Sequence, residues 1–90
     1  MKAIAYTSQF KRDYKKRQRE KDLDELLEFV LNNLSEEKAN LPIKFRDHEL
    51  KGNYHGCREC HLKPDLLLVY ILTSTEIRLI RLGNHSELFD

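Results

Sequence analysis

Leu66-Leu67-Leu68-Val69-Tyr70-Ile71 is an unbroken apolar run without alternation. That is the pattern of a central strand covered on at least one face. Lys63-Pro64-Asp65 precedes it and Thr73-Ser74-Thr75 follows it. Both flanks suit tight turns, since Pro presets φ and short polar side chains bond the nearby backbone. Outside these turns lie further β-favouring segments, roughly His48 to Lys51, Cys57 to Lys63 and Glu76 to Leu82, punctuated by Gly52 and Gly56. The second half of the chain therefore reads as a strand meander centred on residues 66–72.

Upstream, the period changes. Leu23, Leu26, Leu27, Val30, Leu31 and Leu34 recur at the spacing of one helical face, and Asp22 with Glu25 has the form of a capping box. A shorter helix is expected after Ser8 as N-cap, with Phe10 and Tyr14 four apart on its inner face. Lys2 to Thr7 reads as a strand. The order β-α-α-β-β-β-β implies an α+β fold, two helices packed on one face of a mainly antiparallel sheet. Ninety residues, 40% hydrophobic and 34% charged, make one domain spanning 1–90 and leave no room for a second. No apolar run approaches the roughly 18 residues of a membrane span, and no long apolar stretch follows Met1-Lys2-Ala3-Ile4. A cytoplasmic protein with no membrane partner is expected.

The net charge of +1 conceals a strong polarity: residues 1–21 carry +6, residues 22–40 carry −5, and the remainder is balanced. Seven of the eleven residues from Lys11 to Lys21 are basic, a density that attracts phosphate backbones by counterion release. The same run also fits the solvated face of an amphipathic helix. Lys11, Arg12, Lys15, Lys16 and Arg19 are the candidate contacts to ribosomal RNA.

Cys57-Arg58-Glu59-Cys60-His61 matches the C-x-x-C-H spacing of covalent haem attachment. The only Met is the initiator, which leaves no usual second axial ligand, and no export signal is legible. A zinc site would need a second ligand pair at recognisable spacing, which His48, His55 and His85 do not provide. On a strand the two cysteines would face opposite sides, opposing both chelation and a disulfide. No cofactor and no metal are expected.

The histidines carry more. His48, His61 and His85 lie near strand ends and close to carboxylates, in Asp47-His48-Glu49, His61 to Asp65 and His85-Ser86-Glu87. Imidazole exchanges protons near neutral pH, so histidines with an Asp and an Arg can run phosphoester chemistry without metal. RNA supplies its own nucleophile, the 2′-OH. His55 is left as a surface residue.

The frame Leu41-Pro42, Asp47-His48-x-Leu50-x-Gly52, Arg58-Glu59-x-His61-Leu62-x-x-Asp65-Leu66-Leu67-Leu68-x-Tyr70 and Arg81-x-Gly83-x-His85-Ser86-x-Leu88-Phe89 resembles the YafQ-like branch of the RelE/ParE toxin superfamily. The resemblance implies a ribosome-dependent endoribonuclease that cuts messenger RNA in the A site without metal and is silenced by a cognate antitoxin. That antitoxin is expected to be a dimeric DNA-binding protein, and the free toxin a monomer. It also places His48, His61, Asp65 and His85 on the family's acid–base positions, Arg81 on its phosphate-stabilising arginine and Phe89 on its C-terminal aromatic. His48 is then the base and His85 the acid, or the reverse, with His61 and Asp65 positioning substrate and tuning charge. Phe89 would stack on a base, and Glu59 and Lys51 fall near the site. Tyr54 stands where relatives often carry Trp, and Asn84 where a small hydroxyl residue is common. The competing reading within the superfamily is a ParE-like inhibitor of DNA gyrase, which has no need of the histidines.

Overall fold

The computed structural model describes residues 2–36 and 41–89. Its elements are β1 (Ala3–Tyr6), α1 (Ser8–Lys16), α2 (Leu23–Ser35), β2 (His48–Glu49), β3 (Arg58–Lys63), β4 (Leu66–Leu72), β5 (Glu76–Gly83) and a short α3 (His85–Phe89). Single 3-10 turns occupy Ile43–Phe45 and Gly52–Tyr54. The expected β-α-α-β-β-β-β order holds, with α3 as an unforeseen addition. The five strands lie in the order β1-β5-β4-β3-β2, antiparallel except for the parallel β1·β5 pair.

β4 is buried on both faces, which explains its unbroken apolar run. Leu66, Leu68 and Tyr70 enter the larger core with Phe10, Leu23, Leu27, Val30 and Leu34 of the two long helices. Leu67 and Val69 point the other way, into a smaller cluster with Cys57 and Leu88. Full burial of each such side chain contributes roughly 1.5–3 kcal/mol. Cys60 lies in the larger core and Cys57 in the smaller. Burial pushes both thiols up from their ordinary value, Cys60 with help from the nearby Asp47 and Glu59 charges. The two thiols thus share no ligand space, as the strand alternation requires.

Two caps differ from expectation. Thr7, not Ser8, caps α1: its hydroxyl accepts from Phe10 N at 3.0 Å and donates to Ile80 O at 3.0 Å, which ties the helix to β5. Asp22 takes the left-handed conformation (φ 62°) and its side chain makes no cap bond to α2, so the expected capping box does not form. The box occurs instead at α3, where Asn84 Oδ1 accepts from Glu87 N (2.8 Å) and Glu87 Oε1 accepts from Asn84 N (2.9 Å). β2 is also shorter than read, ending at Glu49 before the 3-10 turn at Gly52–Tyr54.

Two bulges position side chains. The β3·β4 register slips between His61 and Lys63, and the β4·β5 register slips at Ile80, where Val69 pairs Arg81 but Tyr70 pairs Leu79. An extra residue reverses the facing of everything beyond it. Ile77 and Leu79 therefore share the larger core with Leu82, and Arg81 is left to meet Tyr54 from the other side of the strand.

Candidate active site

The site lies on the sheet face opposite the two long helices, and pairing explains its contents. His48 is directly opposite Glu59 in the β2·β3 ladder, and His61 follows Glu59 by two residues on the same face. His61 in turn pairs Leu67, which pairs Gly83, the residue two before His85. One row across the sheet thus carries the chain from His61 to the start of α3. The ring centroids of His61 and His85 are 5.7 Å apart.

Glu59 is the centre of this group. Its buried carboxylate lies 3.2 Å from His61 Nε2 and 3.5 Å from His48 Nε2. His48 Nδ1 lies 3.0 Å from the Glu49 carbonyl, so that nitrogen carries the proton and donates. His61 Nδ1 is buried without a partner among the described residues. His85 Nδ1 donates to Asp65 Oδ1 at 2.7 Å, and the same oxygen accepts the His85 backbone N–H at 3.1 Å. The hydrogen bond from the His85 ring holds the Asp65 carboxyl below its ordinary range. With Nδ1 committed, His85 presents Nε2 outward from a half-exposed ring. Each expected histidine therefore has a carboxylate, but the pairs differ from the sequence neighbours. Asp47 serves no histidine. It accepts from Arg58 Nε (3.3 Å) and Nη2 (3.0 Å) and from the buried Tyr70 hydroxyl. Burial and that bond to Asp47 raise the Tyr70 hydroxyl well above its usual range.

α3 is held close by Gly83: a Cβ there would fall 2.9 Å from Glu87 Oε1 and 3.3 Å from Leu88 Cδ2. Phe89 is partly exposed, packed edge-on against Tyr54 at 5.5 Å and 6.3 Å from the His85 ring. Tyr54 donates its hydroxyl hydrogen to Leu88 O at 3.3 Å. Arg81 is not a free cation. Its Nε lies 2.7 Å from Asp13 Oδ2 and its Nη2 3.3 Å from Asp13 Oδ1, while Nη1 approaches the Tyr54 hydroxyl at 3.4 Å. Burial alone would raise the Asp13 carboxyl, but hydrogen bonds from Arg81, Leu82 and Gln9 outweigh it and hold it low.

The basic residues divide. Lys11 and Arg12 are on α1, with Lys11 lining a groove alongside Ile4, Tyr6 and Phe10. Lys16, Arg17 and Arg19 line a hollow of about 360 Å³ with Glu20 and Glu87, beside α3. Arg17 donates to Glu87 and joins the basic segment to the helix that bears His85. Lys15 is exposed at the end of α1, and Lys51 is exposed beyond β2. Sequence reasoning passed over Asp13 and Arg17 and ranked Glu59 as secondary. Only the pairing of His48 with Glu59 reveals that this carboxylate sits between two imidazoles.

A five-stranded sheet with helices on one face and an open imidazole–carboxylate cluster on the other defines a class, the small toxins of RelE-like fold. The chain belongs to the YafQ family: a model described as the bacterial toxin of type II toxin-antitoxin systems, YafQ, matches residues 2–90. It is 37% identical over 87 residues to the mRNA interferase toxin YafQ of Escherichia coli K12, covering 96% of this chain and 94% of that one. A crystal structure of a metal-bound toxin from Helicobacter pylori superposes with TM-score 0.87 at 43% identity, covering 99% and 100% of the two chains. The toxin in the E. coli DinJ–YafQ complex superposes with TM-score 0.86 at 32% identity over the full length of both chains.

Proposed function

We propose that this chain is an mRNA interferase, an endoribonuclease that cuts messenger RNA in the ribosomal A site by acid–base catalysis. The observation that carries the reading is the continuous group His48–Glu59–His61–His85–Asp65 on one accessible face. His48 takes the 2′-OH proton on Nε2, the Glu49 carbonyl fixes the ring by accepting from Nδ1–H, and the charge of the nearby Glu59 carboxylate stabilises the imidazolium that forms. The 2′-oxygen attacks phosphorus, the P–O5′ bond breaks, and His85 Nε2 gives its proton to the 5′-oxygen. The products are a 2′,3′-cyclic phosphate and a 5′-hydroxyl. Arg81 offsets charge on the phosphorane, Asp65 holds the His85 ring and tunes its charge, His61 positions substrate beside that ring, and Phe89 stacks on a base, a contact worth about 1–3 kcal/mol. These groups supply base, acid and cation, so the step needs no metal.

A cognate antitoxin silences the chain, as the DinJ complex of the E. coli relative suggests. It is a dimeric DNA-binding protein, and the free toxin is a monomer. Primer extension on a messenger RNA in a translating extract tests the reading. Codon-phased cuts that require ribosomes are expected. A toxic protein that leaves the message intact and blocks gyrase supercoiling would point to the ParE-like alternative.

The basic segment directs the toxin to ribosomal RNA. Reversing Lys15, Lys16 and Arg19 to Glu is expected to weaken ribosome binding at least about tenfold at 0.1 M salt and to flatten its salt dependence. Unchanged binding across a salt series would remove the segment from the interface.

A second reading concerns inhibition. One ligand atom each from His48, Glu59 and His61 lies within 4.8 Å of the others, and the H. pylori relative is described as metal-bound. Two imidazoles and a carboxylate suit zinc or copper. An ion there would occupy the nitrogen that must accept the proton, so it would be an inhibitor and not a cofactor. Micromolar zinc should suppress cleavage, chelator should restore it, and Glu59→Gln should blunt the inhibition. Cleavage that instead depends on the ion would overturn the acid–base scheme.

A further inference from the structure

The other charged residues of α1, Lys11, Arg12, Lys15 and Lys16, are exposed to water, yet Asp13 is 3% exposed. The reason lies in the sheet edge. β1 pairs with β5 only as far as Tyr6 and Leu79, leaving the rest of β5 without a strand partner on that side among the described residues. Thr7 covers the first gap, its N–H donating to Leu79 O (3.2 Å) and its hydroxyl to Ile80 O (3.0 Å). The next free group, Leu82 N–H, donates to Asp13 Oδ2 at 3.0 Å. Gln9 Nε2 donates to Oδ1 at 3.1 Å, and Arg81 gives its Nε and Nη2 to the two oxygens. Every donor around the carboxylate is thus fixed by the fold, and the carboxylate fixes Arg81 in turn.

This geometry selects which part of the guanidinium is available. The Nε–Nη2 edge is spent on Asp13, and Nη1 is turned toward the Tyr54 hydroxyl. Tyr54 is bound to Leu88 O of α3 and packs against Phe89. A planar fork held along one edge has little freedom left to rotate. We propose that Asp13 is a positioning residue for RNA cleavage: its buried carboxylate holds Arg81 by the Nε–Nη2 edge so that the Nη1 side meets the scissile phosphate next to His85. The proposal rests on the nuclease reading above. A lysine at 81 would keep the charge but not the direction, because it has no second nitrogen to engage Asp13.

The test is single-turnover cleavage on programmed ribosomes, with rate and half-saturating toxin concentration measured separately and thermal melting run on each variant. Asp13→Asn keeps the shape and an acceptor for Leu82 N–H. It is expected to slow cleavage on the order of 10²-fold, the usual result of misplacing a catalytic group by about an ångström, with half-saturation unchanged. Arg81→Lys is expected to be slowed comparably, and Asp13→Asn should cost nothing further in an Arg81→Ala background. A folded Asp13→Asn protein that cuts at the wild-type rate would overturn the proposal. So would an equal slowing with and without Arg81, since the carboxylate would then act on the fold alone. If Asp13→Asn does not fold, Arg81→Lys decides: a wild-type rate there overturns the proposal. Wild-type protein that does not cut at all refutes the nuclease reading instead, and is recognised before any variant is compared.

Discussion

Replacing His85 by Ala is expected to lower the rate of codon-phased cleavage by about 10²- to 10⁴-fold, the usual contribution of a positioned proton donor. The ring is half exposed and contributes little to packing, so its loss should move the melting temperature by only about 2–4 °C, as for a surface substitution in a domain of this size. No other histidine can substitute. His61 is the nearest, but its Nε2 is directed at Glu59 and its Nδ1 is buried. Rate measured on programmed ribosomes, with melting curves for both proteins, separates chemistry from folding. A folded variant that cuts within threefold of wild type, where about 10²-fold is expected, would place the acid elsewhere.

The second large effect is on stability. Asp47→Ala leaves three donors without their acceptor: Arg58 Nε, Arg58 Nη2 and the Tyr70 hydroxyl. Tyr70 is completely buried. Arg58 retains a longer contact to Glu49, 3.7 Å from Nη1, which softens part of the loss. A cost of about 3 kcal/mol follows from stranding the buried Tyr70 hydroxyl together with the partly buried Arg58 donors, a large share of the roughly 5–15 kcal/mol that holds a domain together. The melting temperature should fall by about 12–24 °C. Asp47→Asn, which keeps an acceptor, should lose less. Because β2 is only His48–Glu49 and begins at the next residue, the same change should also loosen His48. A fall smaller than about 4 °C would mean that the network is replaced by water and is not structural.

What was legible in the sequence was what packing dictates over many residues. The run 66–71 marks a strand buried on both faces, and the leucine spacing from Leu23 to Leu34 marks α2, because burial acts on every turn or every second residue. The capping signature was read in the right form but at the wrong site. Asp22–Glu25 and Asn84–Glu87 have the same spacing, and only tertiary placement decides which closes. α3 is too short to show a period. The histidines and Arg81 stand out in the sequence as candidates, but the side chains they pair with do not. A carboxylate beside a histidine in sequence alternates away from it on a strand, whereas one opposite it across a ladder faces it. Asp47 and Glu59 illustrate the two cases. Asp13 looked like one more solvent-facing charge because its burial depends on where β1 stops.

α3 is five residues long, below what a helix needs to persist by itself. Its attachments are Leu88 in the smaller cluster and side-chain bonds through Asp65, Arg17 and Tyr54. The cohesion of the molecule resides elsewhere, in the sheet and the two long helices. Opening of this last segment therefore has its own free energy, smaller than that of global unfolding. With His85 as the proton donor proposed above, the fraction of molecules able to cut would follow that local equilibrium, and the toxin could be disarmed while it remains folded.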